Sequence, residues 1–206
     1  MPTMDFATDT IHFKIVYHGP GMSGKASSMA SIHAMVPEAA RSEFGSYDTG
    51  TEHQLGFDCA LAGFPPVAGC APRFHVHTLP GPVLYERAYV EMLDGAHGVV
   101  YVADSQRDKL QENIRYLQML ARIITRQGRK FSTFPLVLQY NKRDIPNALA
   151  LELMDKYLNP LSWPRFATAL PRPPGTGIWH PRPSPEVFAP FEALCRLVAE
   201  RLATTE

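Results

Sequence analysis

One stretch constrains this chain more than any other: Gly-Pro-Gly-Met-Ser-Gly-Lys-Ala, residues 19–26, set between an alternating apolar run, Ile11 to Tyr17, and a segment of small and apolar residues, Lys25 to Met35. The run predicts a strand, the glycines and proline a turn, and the segment as far as Pro37 a helix. Strand, glycine turn and helix in that order aim successive backbone N–H groups into a concavity at a helix N-terminus, which attracts an anion. The stretch fits the phosphate-binding pattern GxxxxGK followed by Ser or Thr everywhere except its last position, Ala26. Gly19, Gly21 and Gly24 let the backbone wrap closely, and Lys25 adds a point charge. The expected phosphate contacts therefore run through Gly19, Gly21, Met22, Ser23, Gly24, Lys25, Ala26 and Ser27. The plainer alternative is an ordinary glycine-rich turn.

Farther along, Leu55 to Leu61 and Arg73 to Leu79 predict two strands that pair as a hairpin, and Pro37 to Gly50 predicts a long polar loop. Val83 to Leu93 has helical spacing, and Gly98 to Ala103 is a β-branched buried-type strand. Leu110 to Arg126 predicts an amphipathic helix with Ile114, Leu117, Ala121 and Ile124 on its core face and Gly128 as its stop. Then come a strand at Phe134 to Tyr140, a helix at Ala148 to Tyr157, a short strand near Arg165 to Ala169, and a last helix over about Glu186 to Leu202. Strands alternating with helices imply an α/β fold, a mostly parallel sheet covered on both faces. Residues 171–190 hold seven prolines in twenty positions and read as a stiff surface excursion, with Trp179 an aromatic within it.

A second motif, Asn141-Lys142-Arg143-Asp144, follows the strand Phe134 to Tyr140 about 115 residues after the phosphate loop. NKxD in that place is the guanine-specifying motif of small GTPases. Asp144 would accept from the base N1 and exocyclic amine, Asn141 would brace the loops, and Lys142 would lie along the ring. Other chemistry-bearing residues are weaker signals. His75 and His77 share a strand face, but packing or surface exposure is the simpler account. Asp104-Ser105 reads as a cap of the next turn.

Two hundred and six residues suit one domain. Twenty basic and twenty acidic side chains cancel, which argues against a nucleic-acid partner and against a polybasic membrane anchor. No apolar run reaches the ~18 residues of a spanning helix, so the expectation is a cytoplasmic chain with no membrane insertion. Cys59, Cys70 and Cys195 form no CxxC pair, so neither a zinc site nor a disulfide framework is indicated.

The segments at 14–25, 73–81, 94–106 and 135–147 together resemble the Ras-like GTPases, and within them the bacterial mutual gliding protein A group. The resemblance implies a Ras-like fold with a five-to-six-stranded sheet, GTP or GDP at the strand C-termini, and switch segments at about 37–55 and 79–93. It also implies a role in cell polarity or motility, with a roadblock-fold regulator or an active small GTPase as partner. Gly81 would touch nucleotide from the second switch, and Thr168 and Ala169 would lie in the base-contacting loop.

Four positions depart from the resembled pattern. Ala26 lacks the hydroxyl that holds Mg²⁺, and Ser27 is turned away by about 100°. His53 and Gln54 stand where an Arg and a Thr are typical, ahead of Leu55-Gly56-Phe57-Asp58, although Thr49 or Thr51 would substitute if the loop slips. Pro82 replaces the water-orienting Gln after Gly81, and Leu79-Pro80 offers no carboxylate. These departures predict no catalytic residue and no metal ligand in the chain itself: a nucleotide-holding pseudo-GTPase. An active switch GTPase with partner-supplied groups and a nucleotide-free interaction module stay open as alternatives.

Overall fold

The computed structural model describes residues 2–48, 53–79, 86–170 and 182–203. Gly81, Pro82, Thr49, Thr51 and the proline-rich excursion through 181, Trp179 included, lie outside the described residues, as does the His53 side chain. The strands are β1 (Thr3–Asp5), β2 (Thr10–His18), β3 (Gly45–Asp48), β4 (His53–Cys59), β5 (Ala71–Thr78), β6 (Gly98–Asp104), β7 (Leu136–Asn141) and β8 (Arg165–Ala167). The helices are α1 (Lys25–Met35), α2 (Glu86–Leu93), α3 (Leu110–Arg126), α4 (Leu151–Leu158) and α5 (Pro185–Ala203). Strands β3-β4-β5-β2-β6-β7-β8 form one sheet, and β1 pairs antiparallel with the start of β2. Four pairings are parallel, β2 with β5 and β6, β6 with β7, and β7 with β8.

Among the described residues the sheet has eight strands, not five or six. The two additions, β1 and β3, are three and four residues long and pair antiparallel with the longer β2 and β4. The stretch after Pro37, expected to be irregular, holds a 3-10 turn at Glu38–Ala40 and β3, which pairs antiparallel with β4. The expected hairpin of β4 and β5 is present, with Phe57 opposite Val76. The proline-rich excursion ends earlier than 190, because Pro185 opens α5, where its missing N–H costs nothing.

Two cores lie on opposite faces of the sheet. One packs Val16, Val99, Tyr101, Leu136 and Leu138 against α2, α3 and α4; the other packs Ile11, Phe13, Ile15, Tyr17 and Val137 against α1 and α5. The core face of α3 is Asn113, Tyr116, Leu117, Leu120, Ile123 and Ile124, rotated from the expected stripe, and Ile114 packs only at its edge. Asn113 explains the rotation. Its amide oxygen accepts from the Asp104 N–H (2.9 Å), its amide nitrogen donates to the Asp104 carbonyl (2.8 Å), and the Tyr101 hydroxyl donates to its carbonyl. A polar residue invisible to an apolar count thus sets the roll of the helix.

The chain leaves β2 toward one half of the sheet and reaches β6 from that half. The loops after β2, β6 and β7 thus meet at their C-terminal ends beside a reversal of strand order, where open α/β sheets place ligands.

Candidate functional site

The phosphate loop fills the turn from β2 to α1. Gly19 adopts φ 144°, and a Cβ there would stand 2.2 Å from the Val102 carbonyl oxygen; Gly24 adopts φ 104°, and its Cβ would stand 2.2 Å from Asn141 Nδ2. Only glycine fits either place. Between them Met22 holds a left-handed φ of 59° with its side chain 82% exposed, while the Ser23 side chain turns fully inward. The first helical bond runs from the Ser28 N–H to the Gly24 carbonyl at 2.8 Å.

Lys25 is buried, 5% exposed, and its ammonium donates to the Gly19 and Pro20 carbonyls at 3.1 and 2.7 Å. Burial pushes its pKa down to about 8, with Glu112 opposing weakly from a distance. A charged group enclosed this way and bonded only to neutral oxygens is undersupplied with counter-charge. An anion in the loop would relieve it.

The second motif lies alongside. Asn141 donates from Nδ2 to the Ser23 carbonyl at 2.8 Å and accepts at Oδ1 from the Thr168 hydroxyl at 3.0 Å. Lys142 takes a left-handed φ of 64°, a conformation a non-glycine residue keeps only under tertiary constraint. Its ammonium pairs with Asp104 Oδ2 at 2.5 Å. Asp104 is 1% exposed, and its other oxygen accepts from the Gln106 N–H at 3.0 Å, the expected capping contact. Asp144 stands exposed at the rim, and the Arg143 N–H bonds the Thr168 carbonyl at 3.0 Å. Two motifs separated by more than a hundred residues thus meet at Asn141 and Ser23.

No family model matches the chain. Over 202 residues, 98% of this chain and 98% of the relative, it is 34% identical to the Mutual gliding-motility protein MglA of Myxococcus xanthus (strain DK1622). The chain belongs to the MglA group of Ras-like small GTPases.

Guanine nucleotide is the ligand of this group, and the phosphate loop fits a polyphosphate: a buried ammonium without a carboxylate partner, and glycines at 19 and 24 whose close packing against Val102 and Asn141 admits no Cβ. Among the described residues the side chains beside the phosphate loop do not fit Mg²⁺. Ala26 supplies no oxygen, the buried Thr78 hydroxyl is spent on the Tyr17 carbonyl at 2.9 Å, and Asp104 is engaged by Lys142. Among the described residues no group of three or more His, Cys, Asp or Glu is arranged to hold a metal ion.

Of the expected site residues, the MglA-group fold brings Gly19, Gly21, Met22, Ser23, Gly24, Lys25, Asn141, Lys142, Asp144 and Thr168 to one end of the sheet, with Ala26 and Ser27 in the first turn of α1. Ala169 follows Thr168 in the loop after β8. Gln54 does not join them as a free switch residue, because it lies buried in β4 opposite Tyr47. His75 is held between Asp58 Oδ1 (2.6 Å) and His12 Nδ1 (2.7 Å), on the far part of the sheet. Sequence reasoning missed Gln139, Ser28 and Thr78, whose polar side chains are buried beside the motifs. The Gln inside Leu136-Val137-Leu138-Gln139-Tyr140 was the available signal, a polar residue in a buried strand.

Proposed function

We propose that this MglA-group protein holds guanine nucleotide with little or no hydrolysis and acts by presenting its surface to a protein partner. The observation that carries the proposal is the pairing of Lys25, buried and bonded only to backbone carbonyls, with Ala26 beside it. Binding chemistry is kept while the group that would order a metal is gone. Gly19 through Ser27 would cradle the phosphates, Asn141, Lys142 and Asp144 the base, Thr168 and Ala169 its far side, and Gly81 the terminal phosphate. Mg²⁺ would contribute little. An intact Ras-type enzyme without help turns over at only about 3–5 × 10⁻⁴ s⁻¹, so losing metal and water-orienting groups leaves a binding module. The gliding-motility name of the relative supports a role in motility; the proposal extends to cell polarity, with a roadblock-fold regulator or an active small GTPase as partner.

The test has two parts. Denaturing extraction of the purified protein, with titration calorimetry of GDP and GTP, is expected to show bound or bindable guanine nucleotide; finding neither establishes the nucleotide-free module instead. Single-turnover hydrolysis is expected below about 10⁻⁴ s⁻¹, and a rate at or above that of unaided small GTPases would overturn the pseudo-GTPase reading.

A further inference from the structure

Gln139 lies in β7 two residues before Asn141, on the same side of the strand and fully buried. Its Nε2 donates to Ser28 Oγ on α1 at 2.9 Å and to Thr168 Oγ1 at 3.1 Å. The Thr168 hydroxyl donates to Asn141 Oδ1, and Asn141 Nδ2 donates to the Ser23 carbonyl. Residues 23–28 are one continuous segment, so the contacts close a ring: phosphate loop, Asn141, Thr168, Gln139 and back to α1.

Counting protons shows that the ring works in one direction. The amide nitrogen of Gln139 can only donate, so the Thr168 oxygen accepts there and its single proton is left for Asn141. With the Gln139 amide reversed, its oxygen would take that proton, Asn141 Oδ1 would lose its donor, and the brace on the phosphate loop would slacken. The orientation present carries a cost, for Gln139 Oε1 is buried with no partner among the described residues. Folded chains rarely tolerate such an atom. Gln139 therefore sacrifices its own acceptor to keep Asn141 and Thr168 aligned.

We infer that Gln139 and Ser28 are positioning residues that couple the base half of the nucleotide site to its phosphate half, so that filling one half raises affinity for the other. This rests on the guanine-nucleotide reading above. Both side chains are fully buried. Ser28 lies three positions beyond Lys25 on α1, so a pull on its hydroxyl is transmitted to the helix N-terminus that carries the ammonium.

Calorimetric titration of the full chain with GDP, guanosine and pyrophosphate tests this on wild type, Gln139→Met, Ser28→Ala, Ser28→Thr and the Gln139→Met/Ser28→Ala double variant. GDP affinity is expected to fall about tenfold in each removal variant, while guanosine and pyrophosphate each lose less than about threefold. The double variant should be no weaker than the worse single one, and Ser28→Thr, which keeps the hydroxyl, should bind as wild type. GDP affinity within about twofold of wild type in both removal variants, or losses that multiply to about a hundredfold in the double variant, overturn the inference. So does a lowered nucleotide-free melting temperature with all three affinities in unchanged ratio, the mark of a purely structural role. Ser28→Ala carries the test if Gln139→Met does not fold. A wild-type chain that binds neither GDP nor GTP fails the nucleotide reading itself, a result distinct from the others, and removes the inference with it.

Discussion

Replacing His18 by Phe should flatten the acid limb of the stability profile. His18 ends β2 directly before the phosphate loop, fully buried, its ring 5.2 Å from Tyr89, 6.0 Å from Tyr101 and 6.1 Å from Tyr116. Neither ring nitrogen has a hydrogen-bond partner among the described residues. Burial first, and the nearby Lys25 ammonium second, hold its pKa down to about 3. In the unfolded chain the value is about 6.5. The folded pKa is depressed, so the unfolded state binds more protons between those limits, and stability present above about pH 6.5 is lost as pH falls. From pH 7 to pH 5 the unfolded chain takes up nearly one proton that folded His18 refuses, a loss of about 2 kcal/mol. Urea unfolding of wild type and His18→Phe at the two pH values, at constant ionic strength, isolates this group. Other titrating residues act in both chains, and any overpacking by the larger ring acts at both pH values, so both cancel in the double difference. The variant should lose about 2 kcal/mol less than wild type, about 30-fold in the unfolding equilibrium. Equal acid losses would refute the reasoning, since they would mean that folded His18 accepts a proton.

Lys25→Met should abolish GDP binding, a loss of at least about 100-fold, yet leave the melting temperature equal or higher because an under-partnered buried charge is gone. Calorimetry and thermal melts read the two effects. Gly24→Ala combines a left-handed φ of 104° with a Cβ 2.2 Å from Asn141 Nδ2; urea unfolding should show about 2–4 kcal/mol lost. Asp104→Ala strips the Lys142 ammonium of its partner and the Gln106 N–H of its cap, and should cost about 2–4 kcal/mol in the same assay while lowering the GDP-to-ADP affinity ratio. Chelating Mg²⁺ should change wild-type GDP affinity less than about tenfold, and Ala26→Thr should make that affinity metal-dependent.

Local patterns made most of the scaffold legible. The bounds of α1 and α3 match their reading from spacing, Pro37 and Gly128, because helix ends are written in nearby residues. Both nucleotide motifs were visible for the same reason, as each is a short run on one turn. What the local pattern lacked were β1 and β3, short segments of three and four residues without an apolar alternation, which pair with β2 and β4. The roll of α3 was equally hidden, since it follows from Asn113 reaching the Asp104 backbone.

The alternation of the longer strands and helices, the phosphate-loop pattern, the NKxD pattern and the missing hydroxyl at Ala26 were determined by the sequence alone, because each depends on residues adjacent along the chain. Tertiary structure alone decided that Asn141 meets Ser23, that Asp104 holds Lys142, that Lys25 has only carbonyls for partners, and that Gln139 ties α1 to Thr168. Those contacts join residues as far as 118 positions apart. Their geometry exists only once the sheet has brought β2, β6 and β7 side by side and excluded water from the groups between them.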